Sequence, residues 1–514
     1  NLVLIWLNMH NLRKFALFSL SKKHEIMLEL AKKLKEIGYE IICTKGTYNY
    51  LKSNNVEAYL IDDILGLKTE YLKGKIKTIN PLLHSMILAD RENTEELSEI
   101  KNLGLIDYVV VNFYELNFSD IDTFLSSLDL GGRALINSAI KNFKYVTIAI
   151  DEEDATEIIK EIELYGKTTY ELRKKLALKS MEYLINYEAK CYTFMNENLL
   201  NNFSFFLLLK NGKMLRYGEN PHQKAFLFNY ETDPNLFIEK LAGEELSYNN
   251  LLDIDASIKI LSEFNEKTCA IIKHTNPCGV YSNNKASNIE IFLKAYGADS
   301  ISAYGGVLAM NFKVNKELAE QISNYFFDII IAKDYEDSSL EILRKRKKTK
   351  IIACKNLGAK LNKSWDLRSI VNGILVQERD LHEITIDNLK VVSKRFPTEK
   401  EIEDMIFAWK VVKHVDSNAI VVAKDKLTLG IGCGQPSRID ATKLALSKAN
   451  VNAKNAVLAS DGFFPFRDSI DLAASYGISA IIEPGGSIRD KEIIEAANEH
   501  NISLVFTNIR CFKH

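Results

Sequence analysis

Between residues 14 and 150 the chain alternates continuous apolar runs with amphipathic helical stretches, and this alternation most limits what it can fold into. "FALFSL" (15–20) reads as a buried strand. Met27, Leu30, Ala31, Leu34 and Ile37 follow at helical spacing, and Gly38 stops the helix. "YEIICT" is the next strand, then come the loop "TKGT", a short helix and a third strand, "VEAYLI". "IDYVVVNFY", "GGRALINSAIKNF" and "YVTIAI" repeat the strand–helix–strand order. Strands that are apolar on both faces and joined by helices require a parallel sheet covered on both sides, a Rossmann-like α/β layer structure.

Residues 151–201 change character, being rich in Glu, Lys and Leu with no strand pattern, and read as a helical connector. A second α/β region runs over 202–514, with strands such as "CAIIK", "FDIIIA", "KIIAC", "SNAIVVAK", "LTLGIG", "AVLAS", "SAIIEP" and "SLVFTN". With residues 1–10 set apart as an N-terminal extension before the first clear strand, the first domain spans 11–150. At 514 residues the chain exceeds what one hydrophobic core usually serves, which agrees with two domains.

Charge and cysteine usage narrow the function classes. A formal net charge of −2 calls for no polyanionic partner, so nucleic acid is not expected. The run "RKRKKTK" (344–350) reads as a solvated helix end before the strand "IIAC". The N-terminal apolar stretch is too short to span a bilayer and has no basic segment before it. Seven scattered cysteines with no C-x-x-C pair suggest reduced thiols in a cytoplasm and no metal site.

Polar groups concentrate at the ends of the second region's strands, where open α/β sheets bind ligands. The segments are "RYGENPHQ" (216–223), "IIKHTNPCGV" (271–280), "SAYGGVLA" (302–309), the stretch 417–440 ending in "GQPSRID", "SDGFFPFRDSID" (460–471), "EPGGSIRD" (483–490) and "TNIRCF". Arg216, Lys273, Arg438, Arg467 and Arg510 give five cations suited to an anionic ligand. Phe463, Phe464 and Phe466 around Pro465 offer an apolar slot for a flat ring. In "IIKHTNPCGV", Asn276, Pro277 and Gly279 read as the turn formers after Lys273 and His274. Cys278 reads as a packing residue, because Pro277 prevents a helix from bringing it to His274. Singly, each motif has an ordinary explanation, Arg467–Asp468 as a surface ion pair among them.

Together, "RYGENPHQ", "KHTNPCG", "GQPSRIDA" and "FFPFRDSID", in this order, resemble the bifunctional purine-biosynthesis family of AICAR transformylase/IMP cyclohydrolase, over roughly residues 12–514. The resemblance implies an N-terminal methylglyoxal-synthase-like cyclohydrolase domain, a helical connector, and a transformylase region of cytidine-deaminase-like subdomains. It implies formyl transfer from 10-formyltetrahydrofolate, as co-substrate, to AICAR, followed by closure of formyl-AICAR to IMP. It further implies a homodimer, while the cysteine and histidine spacing gives the expectation of a cytoplasmic protein that requires no metal. By match to the family motifs, His274 is the base and Lys273 its supporting lysine. Asn418 and Asp468 lie near the folate and formyl group, and Arg216, Tyr217, Gly305, Asp328 and Arg438 hold AICAR. Arg510 meets its phosphate, and Phe463, Ser487 and Ile488 face the folate. An arylamine whose lone pair is delocalised is a poor nucleophile, so a base and an oxyanion-stabilising cation are the groups this transfer needs.

In the first domain the match is uneven. Lys22 stands where the family has aspartate, Lys45 where it has glycine, Lys75 for arginine, Asn80 for histidine and Leu82 for lysine. Ser21, Lys23, Thr44, Lys45, Gly46, Thr47, Lys75, Thr78 and Asn112 are the matched substrate-binding positions, and Lys45 in a glycine position is expected to be strained. The four ring-closing positions, Lys77, Tyr114, Asp129 and Lys141, are all present. The alternative is a transformylase whose N-terminal domain only binds nucleotide or supports the dimer.

Overall fold

The computed structural model describes residues 12–228 and 238–514, so the extension 1–10 lies outside the described residues. The chain forms two units, one up to residue 208 and one from 209 onward.

In the first unit, β1 (Lys14–Leu20), α1 (Glu25–Glu36), β2 (Glu40–Cys43), α2 (Lys45–Ser53), β3 (Tyr59–Leu60), α3 (Pro81–Leu88), β4 (Leu105–Asn112), α4 (Leu130–Lys141) and β5 (Thr147–Ala149) follow in order. The sheet runs β3-β2-β1-β4-β5 with every pairing parallel. Alternation along the strands feeds two cores. Phe15, Leu17, Ile42, Val109 and Val111 face one, and Ala16, Phe18, Ile41, Cys43 and Val110 face the other. The third strand is shorter than its apolar run, because a helical turn takes over at Ile61.

The helices α5 (Glu152–Tyr165) and α6 (Tyr170–Leu200) begin at the N-caps Asp151 and Thr169, whose side chains accept the Asp154 and Leu172 amides. They are packed elements of this unit. Ile158 and Ile162 close one core, and Leu184, Tyr187 and Cys191 close the other.

The second unit is built on a twelve-stranded mixed sheet. Its elements are β6 (Ile238–Ala242), α7 (Tyr248–Leu261), β7 (Thr268–Lys273), β8 (Asn276–Ser282), α8 (Asn288–Ala298), β9 (Val307–Val314), β10 (Ile329–Tyr335), β11 (Lys350–Cys354), β12 (Lys390–Val391), α9 (Glu399–Val412), β13 (Ile420–Lys424), β14 (Leu427–Gly432), α10 (Arg438–Ala449), β15 (Val457–Ser460), α11 (Asp468–Ser475), β16 (Ala480–Glu483), α12 (Asp490–Glu499) and β17 (Ser503–Phe506). The order across the sheet is β12-β17-β16-β15-β13-β14-β8-β7-β9-β10-β11-β6. α7 and α9 bury Ile254, Leu261, Met405 and Trp409 on one face. α8 and the helices at 316–322 and 337–343 cover one half of the other face, and α10 to α12 cover the other half.

Strand directions decide where the motifs meet. β7 is antiparallel to β8 and β9, β8 to β14, β14 to β13, and β13 to β15, while β15, β16 and β17 run parallel, as do β9, β10 and β11. The C-terminal ends of β7, β14, β15, β16 and β17 therefore share one edge with the N-terminal ends of β8, β9, β10 and β13. Lys273, His274, Gly305, Asp328, Asn418, Arg438, Phe463, Asp468, Ser487, Ile488 and Arg510 all follow or precede strands at that edge.

Candidate functional site

The apolar run of β7 ends at Lys273, which pairs with Asn276 across a two-residue hairpin connection. The turn is His274–Thr275, not Asn276, Pro277 and Gly279, and both of its residues have positive φ, 54° and 63°, as a type I′ connection requires. A β-branched residue is a true outlier there, and such backbone costs about 1–3 kcal/mol per residue unless its surroundings enforce it. Pro277 instead lies in the returning strand at a register irregularity, and Gly279 is there because a Cβ would strike the Ala295 carbonyl at 2.0 Å.

His274 is exposed. The Lys273 ammonium donates to the Tyr304 carbonyl at 2.8 Å, fastening the loop that carries Gly305, itself at positive φ. The Thr275 amide donates to Asp253 Oδ1 on α7 at 2.7 Å, and Lys513 Nζ donates to the Thr275 carbonyl at 3.0 Å. Burial raises the Asp253 carboxyl above the usual carboxylate range. Cys278 packs in the α8-side core, and burial pushes its thiol up to about 12, far from a thiolate nucleophile.

Several matched residues are already engaged. Asp328 accepts from Lys350 Nζ at 2.7 Å and from Asn250 Nδ2 at 2.8 Å. Arg438 is buried and ion-paired with buried Asp461, and it also donates to the Ala419 carbonyl. Asn418 donates to the Gln435 carbonyl at 2.8 Å. Asp468 accepts the Ser469 amide, and Ser487 Oγ accepts the Arg489 amide. Phe463 and Ile488 are exposed, whereas Phe464 is wholly buried and cannot line a slot with Phe463 and Phe466. Arg467 pairs with Asp471 and Glu499, not with Asp468. Arg510 lies over the Phe512 ring and Arg216 over the Tyr217 ring. Beneath the Phe463 loop, buried Glu483 accepts the Phe464 amide at 2.7 Å, and its other oxygen has no hydrogen-bond partner among the described residues.

In the first unit, a cavity of about 780 Å³ gathers Ser21, Thr44, Lys75, Lys77, Thr78, Asn112, Tyr114 and Asp129, together with Lys73, Gly131 and Gly132. A second cavity of about 660 Å³ shares Thr44, Lys73 and Lys77 and adds Lys45 and Lys68. These lysines and the start of α2 favour an anionic ligand. Lys45 is not strained: it opens α2 behind the N-cap Thr44 and has no positive φ, so the "TKGT" loop is already helix. Lys22 is ion-paired with Glu115. Asn112 Oδ1 accepts the Ser21 and Lys22 amides at 2.7 and 3.0 Å, shaping the loop after β1.

Lys77 Nζ is 3.4 Å from the Tyr114 hydroxyl. Asp129, the N-cap of α4, accepts the Gly132 amide, and burial raises its carboxyl. Thr78 packs so closely on Gly131 that a Cβ there would meet its hydroxyl at 2.3 Å. Lys23, Gly46, Thr47 and Lys141 line neither cavity. Thr47 is buried and accepts the Leu20 amide. Lys141 stands at the far end of the helix that Asp129 caps, about 18 Å along its axis at 1.5 Å per residue, and is exposed.

Asp253, Lys513, Asn250, Lys350, Asp461 and Glu483 escape sequence reasoning. Each acts across strands or helices distant in sequence, and none stands in a recognisable spacing. Among the described residues, no group of three or more His, Cys, Asp or Glu side chains is disposed to hold a metal, and no helix is long and apolar enough to cross a membrane.

A parallel α/β unit with a lysine-lined cavity, and a second unit presenting a histidine among cations at one sheet edge, define a two-domain enzyme acting on small anionic substrates. A family model described as "AICARFT/IMPCHase bienzyme" matches residues 139–448, and one described as "MGS-like domain" matches 26–128. The protein named "Bifunctional purine biosynthesis protein PurH" from Caldicellulosiruptor bescii is 46% identical, covering 98% of this chain and 100% of that one. Proteins of the same name from Thermoanaerobacter sp. and Persephonella marina are 44% and 41% identical, covering 98% and 97% of this chain and 100% and 99% of theirs. The chain belongs to the AICARFT/IMPCHase bienzyme family, bifunctional enzymes of purine biosynthesis that couple formyl transfer to cyclohydrolase activity.

Proposed function

We propose that the second unit transfers a formyl group from 10-formyltetrahydrofolate to the 5-amino group of AICAR, and that the first closes formyl-AICAR to IMP. The observation that carries this is the meeting of His274, Lys273 and the cationic and aromatic loops at one edge of the second sheet. His274 takes the arylamine proton as the nitrogen attacks the formyl carbon. Lys273, through the Tyr304 carbonyl, fixes the Gly305 loop and leaves positive charge beside the developing oxyanion. Asn418, Asp468, Phe463, Ser487 and Ile488 serve the folate side, and Arg216, Tyr217, Gly305, Asp328, Arg438 and Arg510 the AICAR side.

In the first unit, Asp129 acts as the base and Lys77 as the acid, while Tyr114 orients Lys77. Ring closure joins the carboxamide nitrogen to the formyl carbon and expels water, so one proton leaves nitrogen and one reaches the departing oxygen. The lysine-lined cavities take the substrate phosphate. No metal is needed, and the protein works as a cytoplasmic homodimer.

A second reading, a transformylase with a non-catalytic first unit, is favoured by the distance of Lys141 from the cavity and the engagement of Lys22 by Glu115. Purified protein given AICAR and 10-formyltetrahydrofolate, with tetrahydrofolate and IMP followed separately, separates the two. IMP from formyl-AICAR at no more than the uncatalysed rate would leave only the second reading. No tetrahydrofolate release would overturn both.

A further inference from the structure

The His274–Thr275 turn is held from three sides. Asp253 Oδ1 accepts the Thr275 amide from α7 at 2.7 Å. Lys513 Nζ donates to the Thr275 carbonyl at 3.0 Å and pairs with Asp416 at 2.8 Å. Asn276 Nδ2 donates to the His274 carbonyl at 3.1 Å and to Asp416 at 2.8 Å, while the Asp416 amide donates back to Asn276 Oδ1. Both peptide groups of Thr275 are thus gripped by side chains that come from far along the chain. The turn lacks the Asn or Gly residues that make positive φ easy. A two-residue turn of His and Thr left to itself would relax out of this region, and the imidazole would turn with it.

We propose that Asp253 and Lys513 are positioning residues for formyl transfer, forming a clamp that enforces the left-handed backbone at His274 and Thr275 and so aims the imidazole. This rests on the reading of His274 as the base. The geometry separates the clamp from ligand binding, since Asp253 is spent on the Thr275 amide and Lys513 on the Thr275 and His414 carbonyls and Asp416. A misplaced base loses rate while the ligand contacts elsewhere survive, so the effect falls on kcat and not on KM.

The test uses the full chain with Asp253→Ala, Asp253→Asn, Lys513→Met and His274→Ala, each assayed for formyl transfer at saturating and limiting AICAR, with thermal unfolding as the control for an intact protein. Asp253→Ala is expected to lose about tenfold or more in kcat with KM for AICAR within about twofold. Asp253→Asn, whose amide oxygen still accepts the Thr275 N–H, should recover most of that loss. Lys513→Met should reproduce the same split from the opposite side of the turn. Parental kcat in both Asp253→Ala and Lys513→Met, or an Asp253→Asn variant as impaired as Asp253→Ala, would overturn the clamp. Parental turnover in His274→Ala would instead overturn the reading of the base, so the two failures are distinguishable.

Discussion

The Asp129 carboxylate accepts the Gly132 amide at 2.7 Å, so the residue matched to ring-closing chemistry is also the N-cap of the helix behind it. Asparagine caps a helix about as well as aspartate but can neither give nor take a proton in this reaction. Asp129→Asn should therefore keep the fold and formyl transfer while lowering IMP formation from formyl-AICAR by about 100-fold or more. Because burial raises this carboxyl, the acid side of the closure rate should fall off at a higher pH than an ordinary aspartate would give, and Asp129→Asn should lose that limb. Parental IMP formation by a folded Asp129→Asn protein would assign Asp129 to the cap alone.

Burial pushes the Glu483 carboxyl up to about 8, and its one hydrogen bond, from the Phe464 amide, offsets that only in part. The native state holds this proton more tightly than the unfolded chain, where glutamate titrates near about 4.3. Its contribution to stability is therefore full below that pH and is lost as pH rises towards about 8. Glu483→Gln keeps an acceptor for Phe464 and has nothing to ionise. It should melt well above the parent at pH about 8 and close to it at pH about 4, read by thermal unfolding across that range. Equal melting points at both ends would mean that Glu483 is ionised without penalty.

The Thr275 backbone gives a third expectation. Glycine takes positive φ without steric cost, so Thr275→Gly should gain up to about 1 kcal/mol of stability in urea unfolding. The grip of Asp253 and Lys513 on the Thr275 peptide groups survives this change, so formyl transfer should stay within about twofold of the parent while the protein becomes harder to unfold. A Thr275→Gly protein less stable than the parent would remove the argument that this turn is strained.

What could be read in the sequence follows from how local each signal is. The strands of the first unit declare themselves because Phe15 to Phe18 and Val109 to Val111 are buried on both faces, leaving an unbroken apolar run. Helix α1 declares itself through Met27, Leu30 and Leu34. Asn, Pro and Gly are the usual turn residues and point to a turn at 276–279, whereas here Pro277 and Gly279 serve a bulged strand against α8. A loop at Lys45 would strain it in a glycine position, but as the first residue of a helix it needs no special backbone. The partners Asp253 of His274–Thr275, Asp461 of Arg438 and Lys350 of Asp328 could not be read at all, because pairing across 22 or 23 residues follows no helical or strand period. Asp253 looked like any polar residue on a helix.

Arg438 has a substrate role by the family resemblance and a buried partner, Asp461, in the structure. Its guanidinium and the Asp461 carboxylate are both removed from solvent, and Asp461 also accepts the Ala419 amide and the Ser417 hydroxyl. Removing one member of such a pair leaves the other charge buried without compensation, which costs about 3–5 kcal/mol. Arg438→Ala should therefore lower the unfolding midpoint sharply, and Asp461→Ala should do the same, since each strands the other's charge. Asp461 has no part in the matched ligand set, so its variant isolates the structural contribution. If Arg438 served only to bind AICAR, Arg438→Ala would raise KM with an unmoved melting point, and Asp461→Ala would leave Arg438 free to bind. A melting loss shared by both variants, measured alongside KM in the surviving protein, places Arg438 under the site as the ion pair that fixes the chain between Ala419 and the Phe463 loop.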